Sequence, residues 1–248
     1  MHNTLKRLSD NYENEEFLLG DPSWFMHQVQ GELNQEAMAF IASCFSYGSR
    51  KQFMPKIQNI LDHSRGEMFL WVKERRYNTM IPDDDKCFYR LYTNRMVRQL
   101  LDKLSQTYIS YGSLKSLIAT DYRQQNPHNR DCKIPAISAL ETLTNTFGGK
   151  IIPHSTSSAC KRLCMFLRWM VRDDSPVDLG IWADIMDKRT LIMPLDTHVM
   201  QQANRLKLIS TKTTSMTTAK KLTEAVANIF PDDPLKADFA LFGYGVNK

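Results

Sequence analysis

Apolar residues in this chain recur at spacings of three and four rather than two, and that period decides its secondary structure. Ala37, Phe40, Ile41, Cys44 and Phe45 follow it, as do Val97, Leu100, Leu101 and Leu104, and later Ala219, Leu222, Val226 and Ile229. Side chains three or four apart share one face of an α-helix, so each set marks a stripe that must be buried against a neighbour. No run of alternating β-branched residues is present, and no two-residue turn signal stands between strands. With 10 Gly and 10 Pro in 248 residues, long stretches lack the residues that end helices. Breaks are expected at Gly48-Ser49, Ile81 to Asp85, Gln124 to Lys133, Gly148-Gly149 and Asp173 to Pro176, with a stop at Pro231 and a restart at Pro234. None is long or repetitive enough for an interdomain linker. The expected fold is all-α: about ten or more helices in one compact multi-helix unit. That unit covers 1–248 and, if it divides, does so into 1–60 with 210–248 and 61–209.

A hydrophobic content of 42% with 24% charged residues suits a packed core and excludes a disordered chain. The net charge of +5 permits a polyanionic partner without requiring one. The five cysteines are odd in number and form no Cys-x-x-Cys pair, which points to reduced thiols and to no bound metal. Residues 1–25 carry Lys6, Arg7, Asp10, Glu13, Glu15 and Glu16 and no apolar signal core. No later segment approaches the ~20 apolar residues of a membrane span. The expectation is a cytoplasmic protein with no membrane association and no cofactor.

Chemistry concentrates between Pro153 and Gly245. Ser157 or Ser158 is placed to cap a helix through its hydroxyl, which would put Lys161 in the first turn. On that helix Lys161, Met165, Arg168 and Arg172 share one face, and Leu163, Phe166, Leu167 and Met170 take the opposite one. The plain reading is a solvated basic face. A cation at a helix N-terminus, however, meets the positive end of the macrodipole, at a cost of a few tenths of a kcal/mol. With Arg162 beside it, the same field favours the neutral amine that a nucleophilic lysine needs.

A second helix start reads Pro194-Leu195-Asp196-Thr197-His198-Val199. Asp196 is the expected cap, Leu195 and Met200 hold the staple positions, and Val199, Ala203 and Leu206 mark a buried face. A capping aspartate needs no further role, and His198 reads equally well as a surface histidine.

Two resemblances attach to these residues. The string from Leu191 to Leu206, centred on Leu195-Asp196-Thr197-His198-Val199 and followed by Asn204-Arg205-Leu206, resembles the aspartate motif of the endonuclease III-like helix-hairpin-helix DNA glycosylases. Asp233 through Gly243 resembles that superfamily's last helix, and Glu36 to Ser49 is loosely similar to a helix whose end supplies a DNA-facing loop. Most of the chain also resembles a bacterial family to which no activity is attached, through Cys160-Lys161-Arg162, Arg168-Trp169-Met170-Val171-Arg172, Val177-Asp178-Leu179-Gly180 and the Asp-Thr-His string.

The glycosylase resemblance implies a two-lobed helix-hairpin-helix fold and a DNA partner. Lys161 becomes the nucleophile and Asp196 the carboxylate of a glycosylase and lyase reaction. Ser157, Ser158, Arg162, Arg168, Arg172 and His198 become nucleic-acid contacts. Trp169 or Trp182 would stack on a flipped base, or else fill the helical core. The chain departs from the pattern in two ways. The hairpin glycines that let backbone approach phosphate are replaced by Ser157 and Ala159, and Lys161 and Asp196 lie 35 residues apart. The longer interval contains Asp178 to Arg189, expected as a short extra helix, and is closest in layout to the archaeal oxidised-guanine glycosylases. The cysteine set of the iron-sulfur glycosylases is absent. A non-catalytic nucleic-acid-binding module and a protein-interaction scaffold are the alternatives to an enzyme.

Overall fold

The structure is a computed structural model that describes residues 2–128 and 132–246. It is all-α. In chain order the α-helices among the described residues are α1 (His2–Tyr12), α2 (Glu32–Phe45), α3 (Arg50–Ser64), α4 (Met68–Lys73), α5 (Asn94–Tyr111), α6 (Leu114–Gln125), α7 (Ala136–Phe147), α8 (Lys161–Val171), α9 (Thr197–Arg205), α10 (Met216–Ala227) and α11 (Lys236–Val246). The expected breaks at Gly48-Ser49, Ile81 to Asp85, Gly148-Gly149, Asp173 to Pro176 and Pro231 to Pro234 fall between helices; α6 runs on through Gln124 and Gln125, and residues 129–131 of the break expected there lie outside the described residues. One small antiparallel hairpin was not expected: β1 (Cys87–Tyr89) and β2 (Tyr92–Thr93). Its turn carries no Asn-Gly or Asp-Gly signal, because Arg90 itself adopts the left-handed conformation at φ 51°.

The chain divides into two compact units, Met1–Leu19 with Cys132–Leu140 and Thr156–Lys248, and Gly20–Asp131 with Glu141–Ser155. These boundaries differ from the lobes drawn above: residues 20–60 join the middle of the chain, and residues 156–209 join the C-terminal part. The division falls within α7.

In the Gly20–Asp131 unit, α2 is buried continuously from Glu36 to Phe45, as a helix with neighbours on all sides must be. Its buried carboxylate Glu36 accepts from the backbone N–H groups of Leu114 (2.8 Å) and Lys115 (3.2 Å), satisfying orphan donors at the start of α6. In the other unit, α1 packs along α11. The ring of Tyr12 lies where a side chain on Gly243 would be, 2.2 Å from an ideal Cβ. Phe17 adds edge-on contacts to Phe239 and Phe242.

Helix α8 forms the centre of this unit, with eight of its residues buried, from Leu163 and Cys164 through Phe166 to Val171. The following segment folds back onto its end. The N–H groups of Leu179 and Trp182 donate to the carbonyls of Trp169 (2.8 Å) and Met170 (2.7 Å), which no helical partner would otherwise reach. The extra segment therefore contains turns and a 3-10 turn at Lys188–Thr190 rather than an α-helix. No helix among the described residues is long and apolar enough to cross a membrane.

Candidate functional site

Helix α8 begins at Lys161, and the residue capping it is Cys160, in the left-handed conformation at φ 46° with no side-chain cap hydrogen bond. The cap expected from Ser157 or Ser158 is thus displaced, since both serines are exposed and precede the helix by more than a residue. Ser158 Oγ instead lies 3.4 Å from Cys160 Sγ. A non-glycine residue held left-handed costs about 1–3 kcal/mol, and Cys160 shares that conformation with Arg65, Arg75, Arg90, Asp174 and Lys207.

Asp196 caps α9 as its sequence implied, and its two carboxylate oxygens have separate partners. Oδ1 accepts from the Val199 N–H at 2.8 Å, and Oδ2 lies 2.9 Å from Lys161 Nζ. Two helix N-termini therefore present an amine and a carboxylate to each other, with side chains 38% and 30% exposed. Burial raises the Asp196 carboxyl, but the charge of Lys161, the Val199 N–H, the lysine hydrogen bond and the charge of His198 outweigh it and hold the group below its ordinary 3.8. His198 is exposed on the first turn of α9, and Arg162 is half-buried beside Lys161. Leu195 and Met200, at the staple positions, are both buried.

The remainder of the cationic stripe is corrected by the structure. Lys161, Arg168 and Arg172 do share one face of α8, but Arg168 and Arg172 are only 3% and 1% exposed. They cannot meet phosphate, because that face packs against carboxylates from distant parts of the chain. Asp178, with its side chain fully buried, accepts from Arg168 Nε through Oδ1 (3.2 Å) and from Arg172 Nη1 through Oδ2. Arg168 Nη1 also donates to Asp238 on α11. Arg172 donates through Nε to Asp233 Oδ1 (2.9 Å), and through Nη2 to Asp233 Oδ2 (2.7 Å) and Glu13 Oε1 (2.6 Å). Both guanidiniums stack over the Phe239 ring, 4.7 and 5.3 Å from its centroid. Burial alone would lower the Arg172 guanidinium, but Asp178, Asp233 and Glu13 raise it well above its ordinary value.

Trp169 and Trp182 are likewise buried, and the ring of Trp182 stands edge-on to Phe166 at 5.2 Å. Neither offers a face to a base; they fill the core that α8 runs through. Glu13, Asp178, Asp233 and Asp238 were not legible as a set, because their only common feature is the helix face on which they converge. Among the described residues, no group of three or more His, Cys, Asp or Glu is placed to hold a metal ion.

The fold and site define an all-α protein in which a lysine–aspartate pair joins two helix starts above a buried arginine–carboxylate cluster. The chain belongs to the family described as "Protein of unknown function (DUF2400)", whose model matches residues 21–247. No curated protein and no solved structure matches it.

Proposed function

We propose that this protein is a helix-hairpin-helix-like DNA glycosylase with lyase chemistry, in which Lys161 is the nucleophile and Asp196 the supporting carboxylate. The observation that carries the reading is the 2.9 Å contact between Lys161 Nζ and Asp196 Oδ2 at the starts of α8 and α9. Two residues 35 positions apart meet at a partly exposed point, where a carboxylate keeps its charge beside an amine. In the reaction, a nucleotide is extruded from the duplex and its sugar separates the pair. Asp196 then stabilises the positive character that develops as the base departs. Lys161 attacks the anomeric carbon, and the resulting imine permits strand cleavage by elimination.

With Arg168 and Arg172 committed to the interior, Ser157, Ser158, Arg162 and His198 remain as contacts for phosphate near the pair. The Gly20–Asp131 unit by itself carries a second surface of suitable chemistry. Leu91, at the tip of the β1–β2 hairpin, is 72% exposed. Beside it the Arg90 guanidinium lies 5.0 Å from the centroid of the Tyr47 ring. Gly48 is held left-handed at φ 84°, a conformation that favours glycine, and a Cβ there would lie 2.4 Å from Arg90 Nη1 and displace the guanidinium. An aliphatic tip, an aromatic ring and a cation suit stacking beside a phosphate backbone.

A second reading has its own observation: both Asp196 oxygens are occupied in this structure, which is all that a cap and an ion pair require. On that reading the chain binds nucleic acid without cutting it. Borohydride trapping decides between the two. Wild-type protein incubated with DNA containing oxidised guanine or an abasic site should yield a covalent complex, and Lys161→Ala should abolish it. Asp196→Asn keeps an acceptor for Val199 N–H but removes the charge, so base release should slow by about 100- to 1000-fold. A lesion panel giving neither trapped complex nor released base would leave the binding-module reading standing.

A further inference from the structure

Two cations of the Gly20–Asp131 unit rest on aromatic rings around one hairpin. The Lys56 ammonium on α3 lies 5.5 Å from the centroid of Phe88 in β1, and the Arg90 guanidinium in the turn lies 5.0 Å from that of Tyr47. Lys56, Arg90 and Leu91 are exposed, and Tyr47 is half-exposed. Among the described residues neither cation is ion-paired, whereas the acidic run before β1 is answered: Arg95 meets Asp83 and Asp85 at 3.0 Å, and Lys86 meets Asp84 at 3.9 Å. The surface is fixed from within. The Tyr89 hydroxyl donates to the Tyr47 carbonyl and ties the α2–α3 loop to the hairpin. Buried Phe45 supports both, its ring 5.5 Å from that of Phe88 and 6.3 Å from that of Tyr92. Side chains held in place before a ligand arrives lose little freedom when it binds.

We infer that this hairpin is a seat for single-stranded DNA. A base stacks on Tyr47, Leu91 enters between that base and the next, and Arg90 and Lys56 pass from the rings to the flanking phosphates. The choice of DNA rests on the base-excision reading; the choice of an unpaired strand rests on the surface alone. A single strand offers base faces and phosphates together, which is what rings alternating with cations can hold. A duplex keeps its base faces stacked on one another, so it could use the cations but neither Tyr47 nor Leu91 without first being unstacked. An anionic membrane would also meet cations and an apolar tip, but Leu91 is a single side chain, and membrane binding grows with the apolar area inserted.

The test is fluorescence anisotropy of the full chain with a short fluorescein-labelled oligothymidylate, titrated over a salt series. A blunt duplex of the same length, an oligouridylate and phosphatidylglycerol vesicles run alongside. Oligothymidylate should bind most tightly. Arg90→Gly keeps the left-handed turn, which glycine adopts freely, and removes one phosphate contact. It should flatten the slope of log affinity against log salt by about 0.7, as should Lys56→Gln. Leu91→Ser and Tyr47→Leu should weaken binding by about fivefold or more with the slope unchanged. Lys73→Gln is the control: its ammonium lies 5.4 Å from the Phe69 centroid on α4, a like contact away from the hairpin, and affinity and slope should both hold. Slopes that flatten while Leu91→Ser and Tyr47→Leu bind like wild type describe a general cationic patch and overturn the inference. So does duplex, oligouridylate or vesicle binding as tight as that of oligothymidylate. Abasic-site trapping in parallel keeps the two ideas apart. A trapped complex together with silent Leu91→Ser and Tyr47→Leu variants sinks the seat and keeps the reaction. Weakened single-strand binding in those variants, with no complex trapped from wild type, keeps the seat and sinks the reaction.

Discussion

The two ends of α8 place cations from the same helix face against carboxylates, and they differ in how much water reaches them. At the N-terminus, Lys161 and Asp196 are each about a third exposed and each has few partners. Further along, Arg168 and Arg172 are sealed in with Asp178, Asp233, Asp238 and Glu13. In water an ion pair is worth little and separates easily, as the proposed reaction would require. In the interior each charge is tolerable only because every other is present, so the cluster acts as a structural lock between α8, α11, the segment after α8 and the residues following α1. One face of one helix thus holds a pair that water reaches and a cluster that it does not.

The largest expected effect tests the lock. Arg172→Ala leaves Asp178 buried with one guanidinium partner instead of two, and removes the partner of Asp233 and Glu13. Its expected cost is about 3–5 kcal/mol in urea unfolding, the range for breaking a buried ionic group from one side. A loss below about 1 kcal/mol would show that water enters the cluster, and the contrast between the two ends would collapse.

The exposed end should respond far less. Asp196→Ala removes both a cap and an ion pair and should cost about 1 kcal/mol, most of it from the cap. Lys161→Ala should stay within about 1 kcal/mol of wild type in the same unfolding assay while eliminating the trapped complex. A Lys161→Ala loss comparable to that of Arg172→Ala would make the lysine part of the lock and remove it as a free nucleophile.

The smallest effect is the dependence of stability on pH, where the two ends have opposite signs. Asp196 has a lowered folded value, so its contribution is present above 3.8 and is lost as pH falls through that lower value. Asp238 has a raised folded value, so its contribution is full below 3.8 and is lost as pH rises through the raised value. Unfolding free energies measured along a pH series should therefore lose their decline on the strongly acid side in Asp196→Asn. In Asp238→Asn they should lose a gain that sets in above pH 3.8 on acidification. Identical pH curves for the two variants would show that the carboxyls share one environment.

Much of this was readable along the chain because it is local. Asp196 caps α9 because its carboxylate can accept from a backbone N–H of the first turn, and the serines before Lys161 marked a helix start that puts it in the first turn of α8. The helical class follows from the spacing of three and four, and the loops from Gly and Pro. The capping serine was misplaced because a left-handed Cys160 leaves no mark in sequence: its conformation is imposed by packing and opposes its own preference. The same limit governs Arg168 and Arg172. Periodicity determined that they share a face with Lys161, but whether that face meets water or protein depends on Glu13, Asp178, Asp233 and Asp238. Those residues lie as much as 159 positions from their partner. Sequence alone determined which residues lie on which side of each helix, because that is geometry within a few turns. Only the tertiary structure decided which cations are buried and which one stays partly exposed, because desolvation depends on what the distant chain brings against them.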